Sequence, residues 1–285
     1  MHPILFRFGP LTLYTYGVML VVAFLVSTWL AIRAARRLPP ALVAITDEQL
    51  LDFSSLTLLG GIAGARLFYI LLQWELFVSA PQELLAIWHG GLVWYGGLAG
   101  GLLAGWLYIH FASRNVSGGI NKIARPPLAF ARGPQRGIPK PRAEGGAGYF
   151  MRVMDQCIPF GVLGHAIGRL GCFLNGCCYG KPTESWCGVV FPGQPTAVLP
   201  TQLFEAFGLL TLFLILRKLQ RPSLLRHPGR LFGVYLVSYA VLRFGLEFLR
   251  GDQTIWWAGL TLQQLISVGI LVAGIGLVLK RHVGR

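Results

Sequence analysis

Charge is what this sequence has least of. Only 13 % of its 285 residues are Asp, Glu, Lys or Arg, about half the share typical of soluble domains, where roughly a quarter is charged. Acidic side chains are the scarcer sign, with 11 Asp and Glu against 25 Lys and Arg and a net charge of +14. Hydrophobic residues make up 54 % of the chain and the mean hydropathy is +0.59. An ordinary soluble domain is thereby excluded, and apolar runs of ~20 residues point to a polytopic membrane protein. Backbone amides in hydrocarbon must be satisfied within their own segment, so the expected class is all-α. A cleavable leader is not expected either, because "MHPILFRFGPLTLYTYG" has no basic segment followed by a short apolar one and a small-residue cleavage site. No RNA- or DNA-binding motif interleaves the basic residues, so the positive charge implies a membrane surface and no nucleic-acid partner.

Seven candidate spans lie at roughly 13–33, 52–73, 91–112, 153–174, 200–217, 231–249 and 259–280, each near the ~20 residues a membrane helix needs. The connections after spans one, three and five, together with the tail, hold nineteen of the 25 Lys and Arg, whereas the opposite connections hold Arg7, Lys181 and Arg250. This asymmetry predicts a cytoplasmic C-terminus and an N-terminus outside. The stretch "SRNVSGGINKIARPPLAFARGPQRGIPKPRAEGGAG" is rich in Pro, Gly and Arg without helical periodicity. It reads as a cytoplasmic loop, at about 113–152, interrupting one transmembrane domain that spans 1–285.

Among the charges inside the spans, Arg66, Arg169, Arg243, Glu205 and Glu247 stand out. A charge at bilayer depth costs a few kcal/mol or more, so such residues have a task or a partner. Arg243 and Glu247 are four apart in "VLRFGLEFLRGD" and share a helical face, with Arg250 following. Three arginines against two carboxylates leave positive charge that a bound anion would balance, and guanidinium binds phosphate bidentately. His165 and Arg169 are also four apart, which places an ionisable imidazole beside the arginine. His89 opens an H-G-G sequence ahead of the third span. Glycines in "LLGGIAGARLFYI", "HGGLVWYGGLAGGLLAGW" and "GVLGHAIGRLGC" are spaced for close helix packing. Trp94 and Tyr95 follow the H-G-G at the outer interface, where aromatic anchors are common. The cysteines Cys157, Cys172, Cys177, Cys178 and Cys187 do not fit zinc-ligand spacing: the last four read C-x4-C-C-x8-C. A structural disulfide, for instance Cys187 with Cys177 or Cys178, or inert packing is expected, and no metal.

Several stretches, in order over residues 10–280, resemble the prolipoprotein diacylglyceryl transferase family. "GRLGCFLNGCCYGKP" is similar to the family's G-R-x-G-N-F-x-N-x-E-x-x-G, "LPTQLFEA" to H-P-[ST]-Q-L-Y-E, and "LRFGLEFLRGD" to R-F-x-x-E-x-x-R. "YTYGVML" resembles a first-helix W-Y-G, and "GGIAGARLFYIL" the second helix. The resemblance implies transfer of a diacylglyceryl group from phosphatidylglycerol to the lipobox cysteine of a prelipoprotein signal peptide at the bacterial cytoplasmic membrane, without a cofactor. It makes Arg169 and Arg243 the phospholipid-binding and catalytic arginines. Tyr95, His165 or His89 could take the proton, and Tyr16, Arg66, Asn175, Gln202, Glu205, Glu247 and Arg250 would line the substrate pocket. Four positions depart from the pattern. Cys172 stands for the asparagine after R-x-G, Cys177 for the motif glutamate, Leu199 for the histidine of H-P-x-Q, and Tyr95 for the H-G-G histidine. These changes leave room for a non-catalytic lipid- or peptide-binding paralogue and, behind it, a thiol oxidoreductase built on Cys177, Cys178 and Cys187.

Overall fold

The computed structural model describes residues 3–8, 11–79, 81–84, 91, 93–117, 146–251 and 255–280. His89 and most of the basic loop predicted at 113–152 lie outside these. Two compact units are present: Met1–Leu42 with Met151–Arg285, and Val43–Phe150.

The first unit opens with β1 (Ile4–Phe8) and β2 (Leu11–Tyr14), an antiparallel pair, followed by α1 (Thr15–Ala35). The second unit holds α2 (Asp47–Leu72), the short α3 (Trp74–Ser79), and α4 (Trp94–Ser117). The first unit resumes in α5 (Gly146–Asn175) and continues through α6 (Thr201–Leu219), the short α7 (Pro222–Leu225) and α8 (Arg230–Glu247). It ends with the hairpin β3 (Ile255–Trp257) and β4 (Leu260–Thr261), then α9 (Leu262–Leu279). The chain is mostly helical as expected. The two hairpins are an addition, formed by short alternating and aromatic runs whose period of two suits a ladder rather than a helix.

A helix occupies each of the seven predicted spans. Among the described residues, four helical segments are long and apolar enough to cross a membrane: Thr15–Ala35, Pro40–Leu72, Ala147–Asn175 and Leu262–Leu279. The other three are less apolar for visible reasons. Glycines dilute α4, while Glu205, Arg217 and Lys218 lie in α6 and Arg230, Arg243 and Glu247 in α8. Large apolar side chains such as Val21, Leu25, Leu59, Leu67, Phe207 and Val241 are exposed. A patch of that kind on a monomer marks contact with something apolar, here consistent with lipid.

Glycine sets how closely α2 and α4 approach. A methyl group added at Gly64 would stand 2.8 Å from Gly100 Cα, and one at Gly60 would stand 2.9 Å from Gly100 O. In the first unit, Gly171 of α5 faces Met19 and Tyr16 of α1, and Gly164 faces Ser27. Helix association in lipid gains little from the hydrophobic effect and relies on van der Waals contact, which such small residues permit.

The core of the first unit joins α5, α6, α7 and α8 through Val162, Ala166, Leu209, Leu212, Leu216, Leu225 and Leu231. A buried polar lock fixes its end. Asp155 of α5 accepts hydrogen bonds from Gly229 N at 2.6 Å and Phe232 N at 2.8 Å, so its carboxylate caps the N-terminus of α8. Gln220, just past α6, donates to the carbonyls of Asp155 and Gln156 at 3.1 and 3.0 Å. Asp155→Ala is expected to destabilise the protein by about 1–3 kcal/mol, the cost of leaving buried amides unpaired. Thermal unfolding in detergent checks this, with an unchanged midpoint the contrary outcome.

Candidate functional site

The site is built around α5, because its last turns carry ionisable groups on a face that the neighbouring helices cover. His165 and Arg169 are one helical turn apart on α5, and Glu205 projects from the first turns of α6. Arg169 Nε lies 3.0 Å from Glu205 Oε2, and His165 Nε2 lies 3.7 Å from Glu205 Oε1. On α8, Arg243 Nη1 is 2.9 Å from Glu247 Oε2, the pairing expected from their spacing. Thr261, at the start of α9, donates its hydroxyl to Glu247 Oε1 at 2.9 Å. His165 is within electrostatic reach of both arginines, as is Tyr239, whose ring centroid is 5.7 Å from the imidazole. One cluster therefore contains two guanidinium groups, two carboxylates, an imidazole and a phenol.

The charge balance differs from the sequence expectation in its location. Within this cluster the arginines and glutamates number two against two. The excess cation is Arg66, in the other unit, where its guanidinium donates to the carbonyls of Leu84 and Gly91 at 3.2 Å each and to that of Glu83. The rings of Tyr69 and Phe77 lie 5.6 and 5.4 Å from its Cζ. Arg66 thus ties the segment after α3 to α2. In the two-arginine cluster, the case for a ligand rests instead on unpaired atoms. Arg169 Nε, Arg243 Nη1, Glu205 Oε1 and Glu247 Oε2 are buried and make no hydrogen bond. The ion pairs are close in distance but out of line in angle, so N–H groups remain for a further acceptor.

The other predicted residues occupy varied positions. Tyr16, in the first turn of α1, interacts with Arg169 and with the thiols of Cys172, Cys177 and Cys178. Asn175 ends α5. Gln202 is buried and donates to Cys177 O at 2.6 Å, which makes it a support for the turn after α5. Arg250 follows α8, and its backbone N–H reaches Glu247 O at 3.2 Å. Tyr95 is at the start of α4 in the second unit and is exposed.

The cysteines do not pair as the sequence reading suggested. All five are free thiols, and Cys187 Sγ lies 3.4 Å from Ser185 Oγ. Cys172, Cys177 and Cys178 converge instead, with their sulfurs within 4.8 Å of one another. Contacts from the Cys172 and Cys178 thiols hold the Cys177 thiol below its ordinary range. Sequence reasoning also passed over Tyr239 and Thr261. The signal for Tyr239 was available, since Tyr239, Arg243 and Glu247 recur every four residues along one face.

Comparison with known proteins matches this chain to a family. The family profile described as prolipoprotein diacylglyceryl transferase matches residues 3–132 and 145–280. A phosphatidylglycerol–prolipoprotein diacylglyceryl transferase of Pseudoalteromonas atlantica is 33 % identical over 96 % of this chain and 87 % of its own length. Proteins of the same name are 32 % identical in Geobacter sulfurreducens, over 99 % of this chain and 97 % of the relative, and 28 % identical in Clostridium tetani, over 96 % of each. With residues 3–132 and 145–280 matched, which takes in most of both units, this chain belongs to the prolipoprotein diacylglyceryl transferase family.

Proposed function

We propose that this chain transfers a diacylglyceryl group from phosphatidylglycerol to the lipobox cysteine of a prelipoprotein signal peptide, in lipoprotein maturation, at the two-arginine cluster of α5 and α8. The observation that carries this reading is the pair of buried guanidinium groups with unpaired N–H atoms, held by carboxylates in a chain of this family. The reaction is an S-alkylation. The acceptor thiolate attacks the C3 carbon of the glyceryl group, a C–S bond forms, the C–O bond to phosphate breaks, and glycerol phosphate leaves. Charge gathers on the leaving phosphate, and preorganised arginine N–H groups in a site of low dielectric stabilise it there. Glu205 and Glu247 fix the guanidinium planes, while Thr261 braces the second pair and the Tyr239 ring lies against His165.

A thiol has an ordinary pKa of ~8.5, so nearby cations promote the thiolate and a modest base suffices to take its proton. His165 fits that task in the cluster, and Tyr95 is the alternative by its motif position. Tyr16, Asn175, Gln202 and Arg250 shape the surroundings of Arg169 and Arg243, and Arg66 holds the second unit's outer segment. The whole chain works as one transferase domain, interrupted at about 113–152, and no cofactor is required. We place it as a seven-span protein of the bacterial cytoplasmic membrane, with the N-terminus outside and the C-terminus inside. The arginine and lysine asymmetry supports this orientation. Phosphatidylglycerol then reaches the site from the surrounding lipid.

The test uses the purified protein in phosphatidylglycerol vesicles with a lipobox peptide, read by mass spectrometry. A peptide heavier by one diacylglyceryl group is expected from the wild type and not from Arg169→Ala. No product, with another family member active in parallel, would replace the proposal with a lipid-binding role. Tyr95→Phe separates the two bases: a fall of about 10²-fold or more assigns proton transfer to Tyr95, whereas an unchanged rate leaves it to His165.

A further inference from the structure

The turn that ends α5 brings three thiols together by a backbone rule. Gly176 has φ +76°, its N–H reaches Phe173 O at 3.1 Å, and the Cys177 N–H reaches Cys172 O at 3.2 Å. These are the two hydrogen bonds of a Schellman cap, in which the second residue past the helix end folds against the last full turn. Hydrophobic side chains commonly meet at those two positions, and here they are Cys172 and Cys177. The next residue, Cys178, has φ 64°, a left-handed conformation costly for a residue with a side chain. That conformation accompanies the approach of its sulfur to 3.7 Å from Cys177 Sγ. The first residues of α6 hold the turn in place, since Thr201 Oγ1 donates to Cys178 O at 3.0 Å and Gln202 to Cys177 O at 2.6 Å.

We propose that Cys172, Cys177 and Cys178 form a three-thiolate binding site for a soft, thiophilic metal ion such as Cu(I), Zn(II) or Cd(II). The geometry suits this ligand. A metal–sulfur bond of about 2.3 Å sets sulfurs roughly 3.8–4.0 Å apart in tetrahedral or trigonal coordination, and the three sulfurs here lie within 4.8 Å of one another, with one pair at 3.7 Å. The cluster contains no histidine or carboxylate, and an all-sulfur donor set selects soft ions over Mg(II), Ca(II) or Mn(II). A disulfide would use two of the sulfurs and leave unexplained why the third converges on them. The trio adjoins Gln202 of the proposed transferase site, and it is tested by metal binding alone, so its failure is distinguishable from failure of the transferase reading.

The experiment titrates reduced, chelator-treated full-length protein in detergent with Cd(II), and separately with Cu(I), following the ultraviolet sulfur-to-metal charge-transfer absorption. One equivalent per chain is expected, with release of protons as thiols become thiolates. Cys172→Ser, Cys177→Ser and Cys178→Ser should each weaken binding about tenfold or more, while Cys157→Ser and Cys187→Ser leave it unchanged. Wild-type alkylation mapped by mass spectrometry gives a readout that does not depend on variants folding: bound metal should protect Cys172, Cys177 and Cys178 together. Absence of the absorption band, labelling of the trio unaffected by metal, or binding that follows Cys157 or Cys187 would overturn the proposal.

Discussion

Replacing Arg169 with lysine is expected to lower diacylglyceryl transfer by about 10²–10³-fold, the usual consequence of removing one preorganised donor from a developing anion. The charge survives in that variant, so the loss would report geometry. A guanidinium carries five N–H donors in one plane, so Arg169 can lie against Glu205 and still donate to a phosphate. The compact ammonium of lysine cannot make both contacts in the same fixed plane. Arg169→Ala should fall at least as far. Initial rates of peptide modification in phosphatidylglycerol vesicles, read by mass spectrometry, supply the number. Full activity in both variants would remove Arg169 from the mechanism.

Glu205→Ala is the second large effect, and its primary readout is stability. Glu205 is buried, lies 3.0 Å from Arg169, and is also the carboxylate nearest His165 among the described residues. Removing one member of a buried pair strands the other charge, at a typical cost of 3–5 kcal/mol. For a chain of this size that corresponds to a fall of roughly 10 °C or more in the unfolding midpoint. The double variant Arg169→Met with Glu205→Leu should recover most of the lost stability, because apolar replacements of similar volume remove the stranded charge as well as the pair. It should remain inactive. A Glu205→Ala protein that unfolds at the wild-type temperature would mean that water screens the pair and that charge compensation is not the role of Glu205.

The two arginine pairs differ in how visible they were beforehand. Arg243 and Glu247 lie on one helix four residues apart, and helical periodicity alone puts them on a common face. The partner of Arg169 is 36 positions away on another helix, at the far end of an irregular segment that carries no period. The same contrast applies to Arg66. Its burial was readable from an arginine inside an apolar run, whereas its acceptors are backbone carbonyls of residues 83, 84 and 91, which side-chain identity does not reveal. Counting the charges of all the spans together consequently assigned to one site an excess that belongs to Arg66.

What the sequence determined by itself is whatever local periodicity and transfer energetics control. That includes the helical class, the positions of the long helices, the glycine faces, the i,i+4 relations on α5 and α8, and the ordered motifs that mark the family. The tertiary structure decided the cross-helix pairing of Arg169 with Glu205, the bracing of Glu247 by Thr261, the diversion of Arg66 to a loop, and the meeting of three cysteines. Each of these depends on segments distant in sequence or on left-handed backbone at Gly176 and Cys178. Such contacts are selected by what can be packed and satisfied together in the folded chain, and no single stretch of residues contains that information.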